Sequence, residues 1–583
     1  MDCPPIEPPP SIFGGHGPAL DMVRRWIGQA NKTGSCTRPD LFRDMNWDSP
    51  ILTYQGCVDF MGGSRWYQEA GSRVYTWVIP VLFLLFNIAL GSASKRSLFA
   101  IAHSLGDPID TNRSLLDKLS AWNTCYDEAN AVVLEKWRAA HSGQGGAAKQ
   151  APDEHLLIDD VCIKDSVRTL ATVFAGMEEL VGQHPGFETV YREAAQEWHA
   201  LDETALGPGR DRNDFVSIEW RRAALTLTEN RTNEFVRTIL AVGVYYFAIV
   251  AEFVGEISGN GDATPAGRIG AAMALSFILA VTLLSNLPGS FPSRRTCLDA
   301  ILRLAAAETS RSGPESAEMQ PTQPTQPSQQ QQQSKAPPTP IVLVSSSSSS
   351  QYFDSLPFAG ANYSFRPWKR LRCRRMALAT PWVALIPLAL AFVPAMILLH
   401  YAVPRGFGCR HFMILGIFGA WIISTLLTHL FQQLANRVDT VRWRTFCFWL
   451  TYGKDLIIGI PAITMVFLSV AGMFSNCWCW CRVLFLGEDD ASLPLDVKQD
   501  YLQNKTTRFV AIVVAFQAFQ MLYIIIVARL SRRGRRLALW GEEAKRKVWR
   551  QVYAGIGGGQ GVLRLGTRFI LWGGNERGDA EVK

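Results

Sequence analysis

The residues best suited to chemistry are three cysteines at alternate positions, Cys477, Cys479 and Cys481, separated by Trp478 and Trp480. Alternate side chains of an extended chain point the same way, so three thiolates could together hold a soft metal ion such as Cu(I). Two alternatives stay open: disulfide bonds on an oxidising side of the membrane, or neither role, with the tryptophans in the interfacial aromatic belt. The disulfide interpretation is favoured. Apart from this candidate triplet no metal ligand is assigned, and no cofactor is predicted.

Six cysteines are candidates for disulfide bonds, because the orientation derived below places them all on the outer or lumenal side. Cys3 lies on the same side, which makes seven, so at least one thiol stays free or pairs between chains. The candidates are Cys36, Cys57, Cys409, Cys477, Cys479 and Cys481.

Polar residues inside apolar stretches are costly and are therefore candidates for function. Glu252, with Glu256 one turn further on, could bind a cation or relay a proton, or could be solvated near the headgroups. Gln517 and Gln520 lie one turn apart, and such amides more often bond neighbouring helices than line a pathway. These three positions, Glu252, Gln517 and Gln520, are the intramembrane polar candidates.

Two further polar groups favour structural interpretations. Lys454 and Asp455 directly precede an apolar stretch, and we expect them at the inner interface with the lysine reaching toward the headgroups. An acidic cluster over 193–203 favours a solvated helix face. Since the chain has no His-Glu-x-x-His, no Cys-x-x-Cys and no nucleophile elbow, no catalytic residue is assigned, and an enzyme is not favoured.

Seven apolar stretches must position these residues. Each is about long enough to cross a hydrocarbon core of roughly 30 Å as a helix, the only form in which an isolated segment satisfies its backbone in lipid. The predicted fold class is all-α, a polytopic membrane protein with about seven transmembrane helices. The stretches are 74–91, 238–255, 269–287, 377–400, 411–431, 456–474 and 508–528.

Basic residues concentrate on one set of connecting segments, namely 288–376, 432–455 and the tail from 529, where nine Lys and Arg stand within 529–550. The positive-inside rule then predicts an outer or lumenal N-terminus and a cytoplasmic C-terminus, in the plasma membrane or an endomembrane. With this orientation Asn31 and Asn504 are the glycosylation candidates. The basic tail predicts contact with anionic lipids, and a net charge of +7 is no nucleic-acid signature.

The predicted domains alternate between membrane and soluble parts. Within the insertion, Pro108 forbids helix at Asp107, and Asp110 is placed to cap the helix that follows. The boundaries are 1–73 for a lumenal head; 74–91 for one span; 92–237 for a helical cytoplasmic insertion; 238–287 for two spans; 288–376 for a cytoplasmic linker, largely disordered and rich in Gln, Ser and Pro; 377–528 for four spans with a cysteine-rich lumenal loop over 475–507; and 529–583 for the basic tail.

Three short patterns carry a resemblance: Arg73–Pro80 (RVYTWVIP), Leu105–Asp110 (LGDPID) and Leu115–Lys118 (LLDK). Together they resemble a group of uncharacterised multi-pass membrane proteins of filamentous fungi. The resemblance covers the first span and about 30 residues after it. It implies a membrane location and a fungal source, and it brings no activity.

The function favoured by the sequence is a non-enzymatic membrane sensor or scaffold with cytoplasmic protein partners, because the chain combines large cytoplasmic segments with no catalytic motif. The first alternative is a transporter or channel that uses polar groups in the spans. The second is a metal-dependent membrane enzyme, which would need the 193–203 cluster or the cysteine triplet to bind a metal.

Overall fold

The structure is a computed structural model, and the residues it describes all belong to one compact unit, Met1–Ala538. The described ranges are 3–6, 16–32, 36–47, 50–61, 70–88, 95–142, 161–180, 218–229, 235–257, 265–287, 299–304 without 302, 381–401, 407–437, 441–471, 483, 487, 490, 492–494 and 499–534. The acidic cluster at 193–203, the Cys477–Cys481 triplet, nearly all of the 288–376 linker and the tail beyond 534 lie outside them.

The described part of the chain is mostly helical, as the sequence predicts. In chain order the helices are α1 (His16–Lys32), α2 (Tyr54–Met61), α3 (Ala70–Phe86), α4 (Lys95–Gly106), α5 (Pro108–Ser142), α6 (Val161–Leu180), α7 (Ile218–Glu229), α8 (Phe235–Ile257), α9 (Pro265–Ala274), α10 (Phe277–Asn286), α11 (Pro381–Tyr401), α12 (Cys409–Arg437), α13 (Val441–Ala471) and α14 (Gln499–Leu530). The strands are β1 (Phe42–Asp44), β2 (Ile51–Thr53) and β3 (Ser492–Pro494).

Four helices are long and apolar enough to cross a membrane: Pro381–Tyr401, Arg410–Ala435, Phe446–Val470 and Thr507–Leu530. They correspond to the last four predicted stretches, so this is an integral membrane protein by length and composition of its helices. The three earlier stretches are shorter apolar helices, Val74–Phe86, Val236–Ala251 and Ala272–Asn286. Large apolar side chains such as Ile457 and Val236 face outward, as they do on helices that contact lipid.

The third of these spans begins about ten residues earlier than the sequence indicates. Lys454 and Asp455 lie well inside it, near its middle, and both are buried. The expectation that they sit at the inner interface with an outstretched lysine is wrong. The physical reason is that both charges find partners inside the protein, so neither has to reach water.

Helices α4 and α5 form a hairpin among the spans. Along α4, Phe99 contacts Phe448 and Tyr452 of α13, and His103 bonds Asp455, so the two helices run in the same direction. Helix α5 likewise runs beside α12. The tip of the hairpin, residues 105–110, therefore lies level with the middle of both spans. Whereas the sequence predicts one cytoplasmic domain over 92–237, α4 and the first half of α5 belong to the bundle, and Ile109, Leu115, Leu116 and Leu119 join its main hydrophobic core.

A second feature of the bundle is an interrupted helix. Helix α9 ends at Ala274, a turn covers Leu275 and Ser276, and α10 starts at Phe277. Nearly every residue of α10 is buried. The third predicted stretch, 269–287, is therefore two short helices joined by a tight turn, within which backbone N–H groups donate to carbonyls three residues earlier, as from Leu275 to Ala272.

The head is a small separate core made by two distant parts of the chain. Strands β1 and β2 pair antiparallel, and β2 also pairs with β3, which belongs to the 475–507 segment. Arg43 donates to the carbonyl of Asp490 at 2.8 Å. Trp26, Phe42 and Phe60 stack in the core of this head. The N-terminal head and the segment before α14 therefore lie on the same side of the bundle.

Candidate functional site

The strongest candidate site is the hairpin tip, where five ionisable side chains are buried together. They are His103, Asp107 and Asp110 from the hairpin and Lys454 and Asp455 from α13. We call this set the tip cluster. Each of the five is at most 9% exposed, and water therefore contributes little to keeping them charged. With all five groups ionised, three carboxylates against one lysine and one histidine leave a net charge of −1.

Local sequence explains how the tip is shaped. Asp107 is the N-cap of α5: its Oδ1 accepts from the backbone N–H of Asp110 at 3.0 Å, and Pro108 occupies the first helical position, where its missing N–H costs nothing. The expectation that Asp110 would cap this helix is wrong. Asp110 stands three residues inside the cap, and its side chain lies against His103 instead.

Glycine allows the tip to approach α13. A Cβ added to Gly106 would lie 2.4 Å from the carbonyl oxygen of Asp455 and 2.5 Å from its Cα. A Cβ added to Gly459 would lie 2.9 Å from the Gly106 nitrogen. Since atoms that are not bonded cannot approach so closely, only glycine fits at either position. The backbones meet there, which brings the charged side chains of both helices within bonding distance.

Helix α12 supplies the polar floor of the site. The indole N–H of Trp421 donates to the Leu105 carbonyl at 2.8 Å, and the Ser424 hydroxyl donates to the Gly106 carbonyl at 2.8 Å. These two bonds satisfy carbonyls that the end of α4 leaves free. The hydroxyls of Thr425 and Thr428 donate to the two oxygens of Asp107 at 2.6 Å and 2.5 Å.

Lys454 holds the centre of the site. Its ammonium lies 3.2 Å from Oδ2 of Asp107, 2.7 Å from Oδ1 of Asp455, 2.5 Å from the Ser424 hydroxyl and 3.2 Å from the Ser424 carbonyl. A buried ion pair offsets the cost of desolvation only when further hydrogen bonds complete its surroundings. Here four oxygens from three residues surround the amino group of Lys454.

His103 connects two carboxylates. Its Nδ1 lies 2.7 Å from Asp455 Oδ2, and its Nε2 lies 3.3 Å from Asp110 Oδ2. Both nitrogens can donate only in the protonated ring, and two flanking carboxylates favour that form. Beyond Asp110, the amide of Gln432 approaches the same Oδ2 at 3.5 Å. The result is a line of polar groups from the middle of α13 toward the end of α12.

The residues selected from the sequence lie elsewhere. Gln517 accepts from the Tyr246 hydroxyl at 3.2 Å, and Gln520 donates to the Ser276 carbonyl at 2.8 Å, at the break between α9 and α10. Glu252 lies in α8, but its side chain is outside the described residues. None of these contacts involves the tip cluster. The two glutamines hold neighbouring helices together, and Gln520 does so at the turn between α9 and α10.

The cysteine candidates are partly described. Cys36 forms a disulfide with Cys3, a residue outside the predicted set, and Cys57 is also disulfide-bonded. The side chains of Cys409 and of the Cys477–Cys481 triplet lie outside the described residues. Among the residues that are described, no group of three or more His, Cys, Asp or Glu side chains has the geometry to hold a metal ion.

Of the glycosylation candidates, Asn31 is exposed in α1, and Asn504 lies in α14 with its side chain outside the description.

The tip cluster was missed because its members look unremarkable one by one. His103 stands in an ordinary apolar helix, and Asp107 reads as a turn residue. The available signal was the LGDPID pattern together with Lys454-Asp455 beside an apolar stretch, since these contain unpaired charges that could meet.

Comparison with protein-family models, with curated proteins and with solved structures finds no match for this chain, so its function must be inferred from the geometry.

Proposed function

We propose that this protein is a membrane transporter and that the tip cluster carries protons through it. The observation that carries the proposal is the α4–α5 hairpin, whose tip brings three carboxylates, an imidazole and an ammonium together level with the middle of the spans. Charged groups at this depth are expensive and normally belong to substrate or proton pathways. This proposal takes up the alternative considered from the sequence. The sensor or scaffold stays a prediction.

A seven-span topology with an outer N-terminus is part of the proposal, and a parity argument supports it. Because β2 pairs with β3, the head and the segment before α14 lie on one side. Three candidate spans, α11 to α13, separate α10 from that segment, so an odd number of earlier crossings is needed. Helix α3, helix α8 and the α9–α10 pair provide three. A disulfide between Cys3 and Cys36 fits a head on the oxidising side.

Broken helices also favour transport over a passive scaffold. A helix end at membrane depth is tolerated only where protein or a polar cavity satisfies its backbone. The described part of the bundle has such a place at the hairpin tip, where Trp421 and Ser424 donate to the Leu105 and Gly106 carbonyls. Transporters use discontinuous helices to bring backbone and side-chain groups to a site near the middle of the membrane. A scaffold does not require a helix end at this depth.

The proton path that we propose runs through His103. Its protonated ring lies between Asp455 and Asp110, so it can release a proton to one carboxylate and take another from the opposite side. Gln432 extends the path from Asp110 toward the end of α12. Lys454 and the threonines bond the Asp107 carboxyl group and fix the hairpin, so that the imidazole stays in line with both carboxylates.

The sensor remains the second candidate, and one set of contacts favours it. Near the middle of α5, the Asn123 side chain accepts from the Gly534 backbone N–H at 2.6 Å and donates to the Leu530 carbonyl at 3.1 Å. Arg533 pairs with Asp127 at 2.6 Å. Helix α5 therefore connects the tip cluster to the start of the predicted basic tail, and a movement of the tip could be transmitted there.

The test is dissipation of an imposed pH gradient in liposomes that contain the full-length protein and a trapped pH-sensitive dye, with NaCl and KCl on both sides. We expect the wild-type protein to dissipate the gradient faster than empty liposomes and Asp110→Asn to abolish the difference. Asp127→Asn is the matched control, because it removes another carboxylate of α5, one that pairs with Arg533 at an exposed position. Wild-type liposomes no faster than empty ones would overturn transport and favour the sensor.

A further inference from the structure

We infer that Trp421 is a gate over the tip cluster. In this conformation it closes the cluster toward the side of the bundle where the head lies, and the cluster exchanges protons with the opposite side, where the tail begins. The gate rests on the proposed transport function and deepens it, because alternating access requires a site that is closed to one side while the other side can reach it. We call the two sides the head side and the tail side.

Contacts between spans show which end of each helix lies on the head side. Helix α14 starts shortly after β3, which pairs with the head, so α14 runs away from the head side. The hydroxyl of Tyr523, late in α14, donates to the carbonyl of Val383, early in α11, at 3.2 Å, so α11 runs toward the head side. The rings of His400, at the end of α11, and His411, at the start of α12, lie 6.1 Å apart. Helix α12 therefore starts on the head side.

Trp421 covers the hairpin tip on the head side. It stands three residues before Ser424 on α12, which places it about 4.5 Å nearer to the head side than the residue whose hydroxyl bonds the Gly106 carbonyl. Its indole N–H donates to the Leu105 carbonyl at 2.8 Å, so the ring is held against the tip. Trp421 is only 1% exposed, and it therefore fills the space above the tip.

Phenylalanines complete an aromatic layer at this level. The ring centroids of Phe277 and Phe392 lie 5.0 Å and 5.5 Å from that of Trp421, both edge to face. Phe418 packs against Phe392 at 5.2 Å. Phe277, Phe392 and Trp421 are all buried. Because a constriction of apolar side chains excludes water, this layer separates the tip cluster from the head side.

Beyond the aromatic layer the interior is apolar. In the described head-side parts of α9, α11 and α12, the buried side chains are all apolar except His411 at the start of α12. Between Trp421 and His411 lies about 15 Å of helix at 1.5 Å per residue. A proton that moved from the tip cluster toward the head side would therefore find no buried polar side chain of these helices over that length.

The tail side of the tip cluster has the opposite character. Helix α5 runs from the tip toward the tail side, since the Asn123 side chain bonds the Leu530 carbonyl at the end of α14. Buried polar side chains follow one another along this part of α5: Asp110, Thr111, Asn112, Ser114, Lys118 and Ser120. The Thr111 hydroxyl and both polar atoms of Asn112 have no hydrogen-bond partner among the described residues. Buried polar groups normally have protein or water partners, so this part of α5 suits a path that water enters from the tail side.

Phe277 is the member of the layer with a hinge beside it. It is the first residue of α10, directly after the turn over Leu275 and Ser276 that separates α10 from α9. Short turns of this kind inside a helix often mark hinges. A change in the angle between α9 and α10 moves the Phe277 ring away from Trp421, whereas Phe392 and Trp421 stand inside long helices. Opening of the gate therefore requires movement of only one of the three rings.

The first test uses the liposome assay. Trp421→Ala removes the cover and leaves all five charges of the tip cluster, so we expect the pH gradient to collapse severalfold faster than with the wild type. A path open to both sides needs no conformational change. Trp77→Ala, which removes another tryptophan that is 1% exposed in the same core, is the matched control and should be no faster than the wild type. Trp421→Phe keeps an apolar ring and should stay near the wild-type rate.

A tryptophan that only packs would give slower transport when it is removed. An unchanged or slower rate for Trp421→Ala, or an equal acceleration by Trp77→Ala, therefore overturns the gate.

A second measurement tests the gate without transport. Ser424→Cys places a thiol in the tip cluster, in a background without other reactive cysteines, and a tag at the C-terminus sorts liposomes by the side that faces outward. With Trp421 in place, we expect the membrane-impermeant trimethylammonium methanethiosulfonate reagent to modify this thiol from the tail side only. With Trp421→Ala added, modification should occur from both sides. Modification from the head side with Trp421 in place, or from neither side, overturns the gate, and this readout holds even if Trp421→Ala fails to fold.

The two measurements also separate the gate from the proposed function. Wild-type liposomes that keep their pH gradient, together with modification of Ser424→Cys from the tail side only, remove transport and leave the gate standing. A gradient that the wild type dissipates and that Trp421→Ala does not dissipate faster leaves transport standing and removes the gate.

Discussion

The Nδ1 atom of His103 lies 2.7 Å from a carboxylate oxygen of Asp455, although 352 residues separate the two in sequence. The contact joins a helix predicted to be cytoplasmic to the middle of a span. It exists because Gly106 and Gly459 let the two helices touch through their backbones. From this one pair follow the depth of the hairpin, the charge at its tip and the proposed proton path.

Asp107 should be the most sensitive carboxylate for stability. Asp107→Asn keeps the shape of the side chain but removes the charge that faces Lys454, and leaving one member of a buried ion pair alone costs about 3–5 kcal/mol. We expect a clearly lower melting temperature for the purified protein in detergent. The control is Asp127→Asn, whose exposed pair with Arg533 should contribute about 0–1 kcal/mol. Equal losses for the two variants would contradict the view that Asp107 and Lys454 stabilise each other.

The close approach of helices α4 and α13 can be tested with glycines alone. Gly106→Ala places a methyl group against the Asp455 backbone, so we expect the hairpin to be forced out and the folded yield to fall sharply. Gly453→Ala in α13 meets no atom within 4 Å and should be neutral or stabilising by about 0.5–1 kcal/mol. Size-exclusion profiles and melting temperatures of both variants give the comparison. A tolerated Gly106→Ala would mean that the backbones are further apart.

The Cys3–Cys36 disulfide should stabilise the head without affecting the bundle. Removing a native disulfide from a small domain costs about 2–5 kcal/mol. In Cys3→Ser we therefore expect protease to cut within residues 1–61 at concentrations that leave the wild-type head intact, while the melting of the bundle is unchanged. Asn46→Ser, an exposed change in the same head, is the control. Identical cleavage of wild type and Cys3→Ser would show that this bridge does not hold the head together.

The sequence predicted the helical class and the four long spans because apolar stretches of about twenty residues have few other structures. It placed the start of the α13 span too late, because Lys454 and Asp455 looked like its boundary. Their partners come from residues 103–110, and no local pattern announces a contact over hundreds of residues. The site could not be predicted for the same reason. The LGDPID pattern predicts a cap and a turn, but the depth of residues 105–110 among the spans depends on α12 and α13, which come far later in the chain.

Local patterns also failed to predict the partners in the head, where β2 pairs with β3 and Cys36 pairs with Cys3. Cysteine positions indicated that disulfides would form on one side, but the choice of partner depends on how the head folds. Gln517 and Gln520 illustrate the opposite case. Their spacing predicted contacts to neighbouring helices, and the structure gives each of them such a contact.

The depth of the hairpin tip tests the account most directly. A spin label would be placed on Ala102→Cys, one residue before His103 and only partly buried. It would be compared with labels at Ile457, near the middle of α13, and at Phe446, where the α13 span begins. All three labels would be introduced into a background without other reactive cysteines. The readout is collision with lipid-soluble oxygen against a water-soluble nickel complex in reconstituted membranes. We predict that Ala102 matches Ile457. A label that matches Phe446, or that lies in water, would contradict a tip cluster at mid-membrane and the transport proposed for it.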